Sequence, residues 1–178
     1  MVFLLQVMAS ILLGAIATTA VTSMPTTLNI TVIGAQNNQS TLECWALEPG
    51  FTSSTQPGVA GSAQLSLGPV GDNATYNIIP AQFDGGRHNA PARQWVVFLS
   101  GLAYITLPHS DDEAWVLGGK HGMILALDTA DVSADGHYTE YPSDEVTVAL
   151  VVPLGEEEEE PAHRVLHQGA CKPTEVDF

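Results

Sequence analysis

The chain has 178 residues, with 20 acidic side chains against five basic ones and a net charge of −15. The five cations (Arg87, Arg93, Lys120, Arg164 and Lys172) are scattered along the sequence. With no basic stripe to neutralise phosphates, the composition excludes nucleic acid and anionic membrane surfaces as partners.

Read in chain order, residues 2–21 are almost wholly apolar, with Ala17 and Ala20 at candidate cleavage positions. This reads as a signal peptide over residues 1–22, although the run is nearly long enough for a retained anchor. Three N-x-S/T triplets begin at Asn29, Asn38 and Asn73. Behind a signal peptide they are candidate glycosylation sites, and they place the chain outside the cell or in the secretory lumen. Cys44 and Cys171 are the only cysteines. In an oxidising compartment they are expected to form a disulfide that ties the tail back to the body.

The alternation at 28–32 predicts a strand, and 34–41 reads as a polar loop. Residues 42–47 (LECWAL) form a short apolar piece, and 49–61 are rich in Gly, Pro, Ser and Thr, as a loop requires. Further short strands are predicted at 62–67, 75–79, 94–99, 103–107, 114–117, 122–127 and 146–152. Gly or Pro clusters separate most of them. Residues 128–136 hold either one helical turn or an irregular loop. Short strands with regular turn signals indicate an all-β sandwich or barrel. Residues 23–155 suffice for one such domain. Residues 156–178 follow as an acidic linker and a tail, with Glu156–Glu160 a self-repelling, solvated run and His163 and His167 exposed imidazoles in the tail.

The segment FDGGRHNAPARQWVVFLSGLAYITLP carries the most chemistry. His88 precedes a polar residue, Gln94, that heads an apolar strand, and Gly101 ends that strand six residues later. This spacing resembles the first motif of the cupin superfamily, G-x5-H-x-H-x3,4-E-x6-G, with Ala90 at the second histidine and Gln94 at the glutamate. His137, with Tyr141 in place of an asparagine, stands as the counterpart of the second motif's histidine. The stretch 79–153 is also similar to the small secreted cupin-like proteins of filamentous fungi. The resemblance implies a single double-stranded β-helix barrel of jelly-roll type, often paired as a homodimer.

The same resemblance implies ligands converging at the barrel mouth, but the ligand set is degenerate. Cupins usually hold a transition metal with three imidazoles and a carboxylate. Here Ala90 cannot ligate and Gln94 is a weak donor. The expectation is therefore a pocket without a cofactor, for a small organic molecule, with His88, His137 and Gln94 as its catalytic groups. Trp95, Phe98 and Tyr104 are candidate pocket walls. Such a pocket would bind a secondary metabolite or act on it as a lyase, isomerase or cyclase. One alternative is a metal-dependent oxidoreductase or dioxygenase with a weakly held transition metal on His88, His137 and His121. Another is a non-enzymatic secreted surface or effector protein. The chain has no G-x-S-x-G elbow and no phosphate-cradling glycine loop.

Overall fold

A computed structural model describes residues 25–155 and 160–177. The expected signal segment 1–22 and most of the glutamate run lie outside the described residues. In chain order the strands are β1 (Asn29–Gln36), β2 (Gln39–Leu47), β3 (Thr52–Ser53), β4 (Ala63–Gln64), β5 (Thr75–Ile79), β6 (Phe83–His88) and β7 (Gln94–Ser100). They continue as β8 (Leu102–Leu107), β9 (Ser110–Leu117), β10 (Met123–Ala126), β11 (His137–Tyr141), β12 (Thr147–Pro153) and β13 (His163–Gln168). A single helical turn, α1 (Pro173–Val176), follows. The protein is all-β, as the sequence predicts.

Two sheets make the body. One has seven strands in the order β13-β2-β1-β10-β7-β12-β5, and the other has four in the order β6-β11-β8-β9. Pairing is antiparallel except between β1 and β10. The middle strands of the larger sheet are buried on both faces. Ile33, Phe98, Ile124 and Ala149 point toward the smaller sheet and meet Ala103, Ile105, Ala114 and Val116. On the opposite face Ile30, Val32, Trp45, Trp95 and Leu125 form a second core, covered in part by Leu65 and Leu67. A strand buried on both faces loses its polar alternation. That is why β7 reads as an apolar run.

Gly101 makes the corner where the chain leaves β7 in the larger sheet for β8 in the smaller. Its φ is +81°, and a Cβ there would collide with Thr147. Both demands select glycine.

Three segments to which the sequence reading assigns no strand are strands. The 34–41 loop is a hairpin whose turn shrinks to Asn37 and Asn38, with φ of +53° and +63°. Both values suit a tight two-residue hairpin turn. The segment FDGGRH forms β6, an exposed edge strand with two glycines and no apolar alternation. His163 and His167 do not dangle from a loose tail; they lie on β13, which extends the larger sheet beside β2.

Candidate functional site

Between the two sheets lies a cavity of 110 Å³. Its polar lining is His88, Gln94, His137, Thr139 and Tyr141, and its apolar lining includes Ala90, Phe98 and Ile105. A cleft of 990 Å³ shares Pro91, Gln94, Val96, Phe98, Tyr141 and Val151 with it, so the two spaces adjoin. The cleft continues past Ile79, Asn77 and Asn73.

Strand parity decides who faces the cavity. On β7, Gln94, Val96 and Phe98 point inward, while Trp95 points to the opposite core. On β11 the inward residues are His137, Thr139 and Tyr141. His88 ends β6 directly opposite His137 in the ladder, and the two rings lie 4.6 Å apart between centroids, tilted at 58°. Gly136 permits this approach. Its φ is +63°, and a Cβ there would strike the His88 carbonyl.

His137 is 4% exposed and Asp128 is fully buried, a decisive contrast with the many acids on the surface. The His137 Nδ1–H donates to Asp128 Oδ2 over 2.7 Å. The Ser40 hydroxyl donates to the same oxygen over 2.7 Å. Ser40 Oγ also lies 2.8 Å from Ser133 Oγ, which accepts from the Gly136 amide. The Asn89 side-chain amide ties down the Asp128 and Ser133 carbonyls. The loop between β10 and β11 is thus fastened to the hairpin β1-β2 and to the chain after β6. Outside, Asp135 accepts from Arg87 and pairs with His109. The His109 hydrogen bond holds the Asp135 carboxyl below its usual range.

This arrangement fixes tautomers. With Nδ1–H committed to a carboxylate, His137 presents Nε2 as a lone-pair base, and the carboxylate stabilises the imidazolium that forms when Nε2 takes a proton. His88 Nδ1 lies 3.1 Å from the Gly86 carbonyl, which only an N–H can satisfy. Burial against the site, and then the neighbouring His137, depress the His88 pKa. His88 is therefore neutral near pH 7. Burial pushes the Tyr141 phenol up, so it stays protonated and can donate a hydrogen bond. Ser40 is not a nucleophile activated by His137, because its hydroxyl bonds the far side of the dyad, at the carboxylate.

Of the residues singled out from the sequence, His88, Gln94, His137 and Phe98 meet at this cavity. Trp95 and Tyr104 do not line it. Trp95 belongs to the core on the other face of β7. Tyr104 alternates with the buried Ala103 and Ile105, so it lies on the outer face of β8 and stacks on Trp115 at 4.1 Å. His121 is also elsewhere, with Nε2 at 3.4 Å from Asp177. The residue that sequence reasoning missed is Asp128, seen only as a loop acid. Its one signal is position: it is the first charge after the apolar strand MILAL.

The cavity's polar groups are two imidazoles, a neutral amide, a threonine hydroxyl and a phenol, with no carboxylate among them, a weaker donor set than three imidazoles and a carboxylate for a resident transition metal. A different metal-like group lies at the far edge of the large sheet, where Cys44, His167 and Glu175 place ligand atoms within 4.8 Å of one another. There Cys44 is joined to Cys171 in the expected disulfide. Asn38 and Asn73 are exposed, whereas the Asn29 amide donates to the Glu175 carbonyl over 2.7 Å, so a glycan on that nitrogen would displace α1. No helix among the described residues is long and apolar enough to cross a membrane. Comparison with protein-family models, with curated proteins and with solved structures finds no match to this chain.

Proposed function

We propose that this is a secreted, cupin-like β-barrel protein whose cavity takes the reactive end of a small organic molecule and transfers protons on it without a metal. The observation that carries this reading is the convergence of His88, Gln94 and His137 on one cavity, with His137 held by the buried Asp128. The disulfide and the acceptor asparagines support an extracellular setting.

The inner cavity admits only a few heavy atoms, so the body of the ligand lies in the adjoining cleft, whose volume is in the range of about 300–1,000 Å³ common for ligand sites. A carbonyl compound suits the polar groups. Gln94 and the protonated Tyr141 donate to its oxygen, and His137 Nε2 removes a neighbouring proton. The Asp128 carboxylate stabilises the resulting imidazolium. Returning that proton to another atom gives an isomerisation or ring closure, and losing a leaving group gives a lyase. His88, neutral and adjacent, serves as the second proton acceptor.

The test uses α-hydrogen exchange of small ketones, enones and lactones in deuterated water, read by proton NMR. The wild type accelerates exchange for at least one member. His137→Asn abolishes the acceleration, and Ala90→Phe, which plugs the cavity, abolishes both exchange and binding. Absence of binding and exchange across the panel leaves the barrel as an inert secreted scaffold and overturns the reading. A transition metal that co-purifies in stoichiometric amount and is lost on His88→Ala overturns it in favour of metal chemistry.

A further inference from the structure

From the junction between the tail and the large sheet, remote from the cavity, we infer a second site: a divalent zinc-type metal centre that replaces the Cys44–Cys171 disulfide when that bond is reduced. Its ligands are Cys44, Cys171, His167 and Glu175.

The geometry comes from three segments. Cys44 on β2 and His167 on β13 are direct partners in the ladder. Cys171 and Glu175 follow on the tail. Beside the disulfide, that tail is held by the Cys171 amide, which donates to Thr31 Oγ1 over 3.0 Å, and by the Asn29 side-chain amide, which donates to the Glu175 carbonyl. Ligand atoms of Cys44, His167 and Glu175 already lie within 4.8 Å of one another; Cys171 Sγ, bonded to Cys44, stands outside that group and swings onto the ion once the bond is open. Two thiolates, an imidazole and a carboxylate are a donor set that suits tetrahedral zinc or cobalt(II).

His167 is prepared for the role. Its Nδ1–H donates to the Gln168 carbonyl over 2.8 Å, which orients the ring as metal-bound histidines are oriented and leaves Nε2 for the ion. Nε2 lies 3.2 and 3.0 Å from the two Glu175 oxygens. A metal ion takes a position between Nε2 and the carboxylate. Glu175 Oε2 also accepts the Lys172 amide, so Oε1 is the oxygen turned to the metal.

The chemistry balances. A dithiol reductant gives up two electrons and closes into its own disulfide, and the Cys44–Cys171 bond opens to two thiols. The metal ion then displaces both thiol protons and any proton on His167 Nε2. In the oxidised protein both sulfurs are committed to each other, and His167 with Glu175 alone holds zinc poorly.

The experiment is a cobalt(II) titration of the full mature chain, with and without prior reduction by a phosphine under anaerobic conditions. The reduced wild type binds one ion per chain with thiolate-to-cobalt charge-transfer absorption and tetrahedral ligand-field bands, and zinc displaces it. The oxidised chain shows neither signal. His167→Ala weakens binding by about tenfold or more, and Glu175→Gln weakens it as well, while both keep the oxidised fold by circular dichroism. If reduction opens the chain, zinc restores the strand signal. Absence of the absorption, failure of zinc to restore structure, or equal affinity in His167→Ala would overturn the site, the last by showing that loose thiols alone bind the ion.

Discussion

Asp128→Ala removes the acceptor on which the site is built. Its Oδ2 receives the Nδ1–H of His137 and the hydroxyl of Ser40, both inside the protein. With the Ser40 hydrogen on Asp128, Ser133 donates to Ser40, so loss of the carboxylate leaves one hydroxyl hydrogen of this serine pair as well as the His137 N–H without that acceptor. An orphaned buried donor costs about 1–3 kcal/mol, so the expected loss is at least about 2 kcal/mol. For a domain near 150 residues that lowers Tm by roughly 4–8 °C. Urea unfolding measures the loss, and long-range proton–nitrogen spectra of the histidine rings report the tautomer. In the wild type, His137 carries its neutral-form proton on Nδ1; in the variant the two tautomers mix. Asp131→Ala, an exposed change in the same loop, is silent on both measures. A variant at Asp128 that stays within about 0.5 kcal/mol of wild type, with the His137 tautomer unchanged, would refute the dyad.

The depressed His88 pKa makes folding sensitive to acid. The unfolded chain binds a proton more readily than the folded one, so this contribution is complete above the ordinary histidine value and is lost as pH falls through the folded pKa. His88→Asn therefore flattens the fall in stability below about pH 6.5, measured by urea midpoints at stepped pH. The effect is modest, because one flank of His88 is exposed to solvent. Gly101→Ala combines a left-handed backbone with a collision at Thr147 and costs about 2 kcal/mol or more, read by thermal unfolding. Tyr104→Ala, on the outer face of β8, leaves ligand binding at the cavity unchanged by calorimetry; a loss there would mean that the cavity is not the binding site.

The all-β class was legible because β5, β7, β8, β9 and β12 carry apolar residues at strand spacing between turn signals. What escaped is instructive. The inward residues of β11 are His137, Thr139 and Tyr141, so the strand that builds the site has a polar core face and no hydrophobic period to detect. β6 is an exposed edge and needs none. His88, Gln94 and His137 were singled out by the resemblance to the cupin motifs and line one cavity, but Trp95 and Tyr104 do not line it, because a strand's neighbours point to opposite faces. Parity counted from Gln94 would have sent Trp95 away from the cavity. Asp128 could not be distinguished from the other loop acids, because its burial depends on Ser40 and Asn89, which come from distant segments.

The most direct measurement is a titration of the protein with cyclohexanone, following the side-chain nitrogen resonances of His88, Gln94 and His137 together. The account predicts that all three shift in parallel along one binding curve, and that Ala90→Phe removes the curve while the fold persists. Shifts confined to residues away from the cavity, or a curve that survives Ala90→Phe, would contradict it.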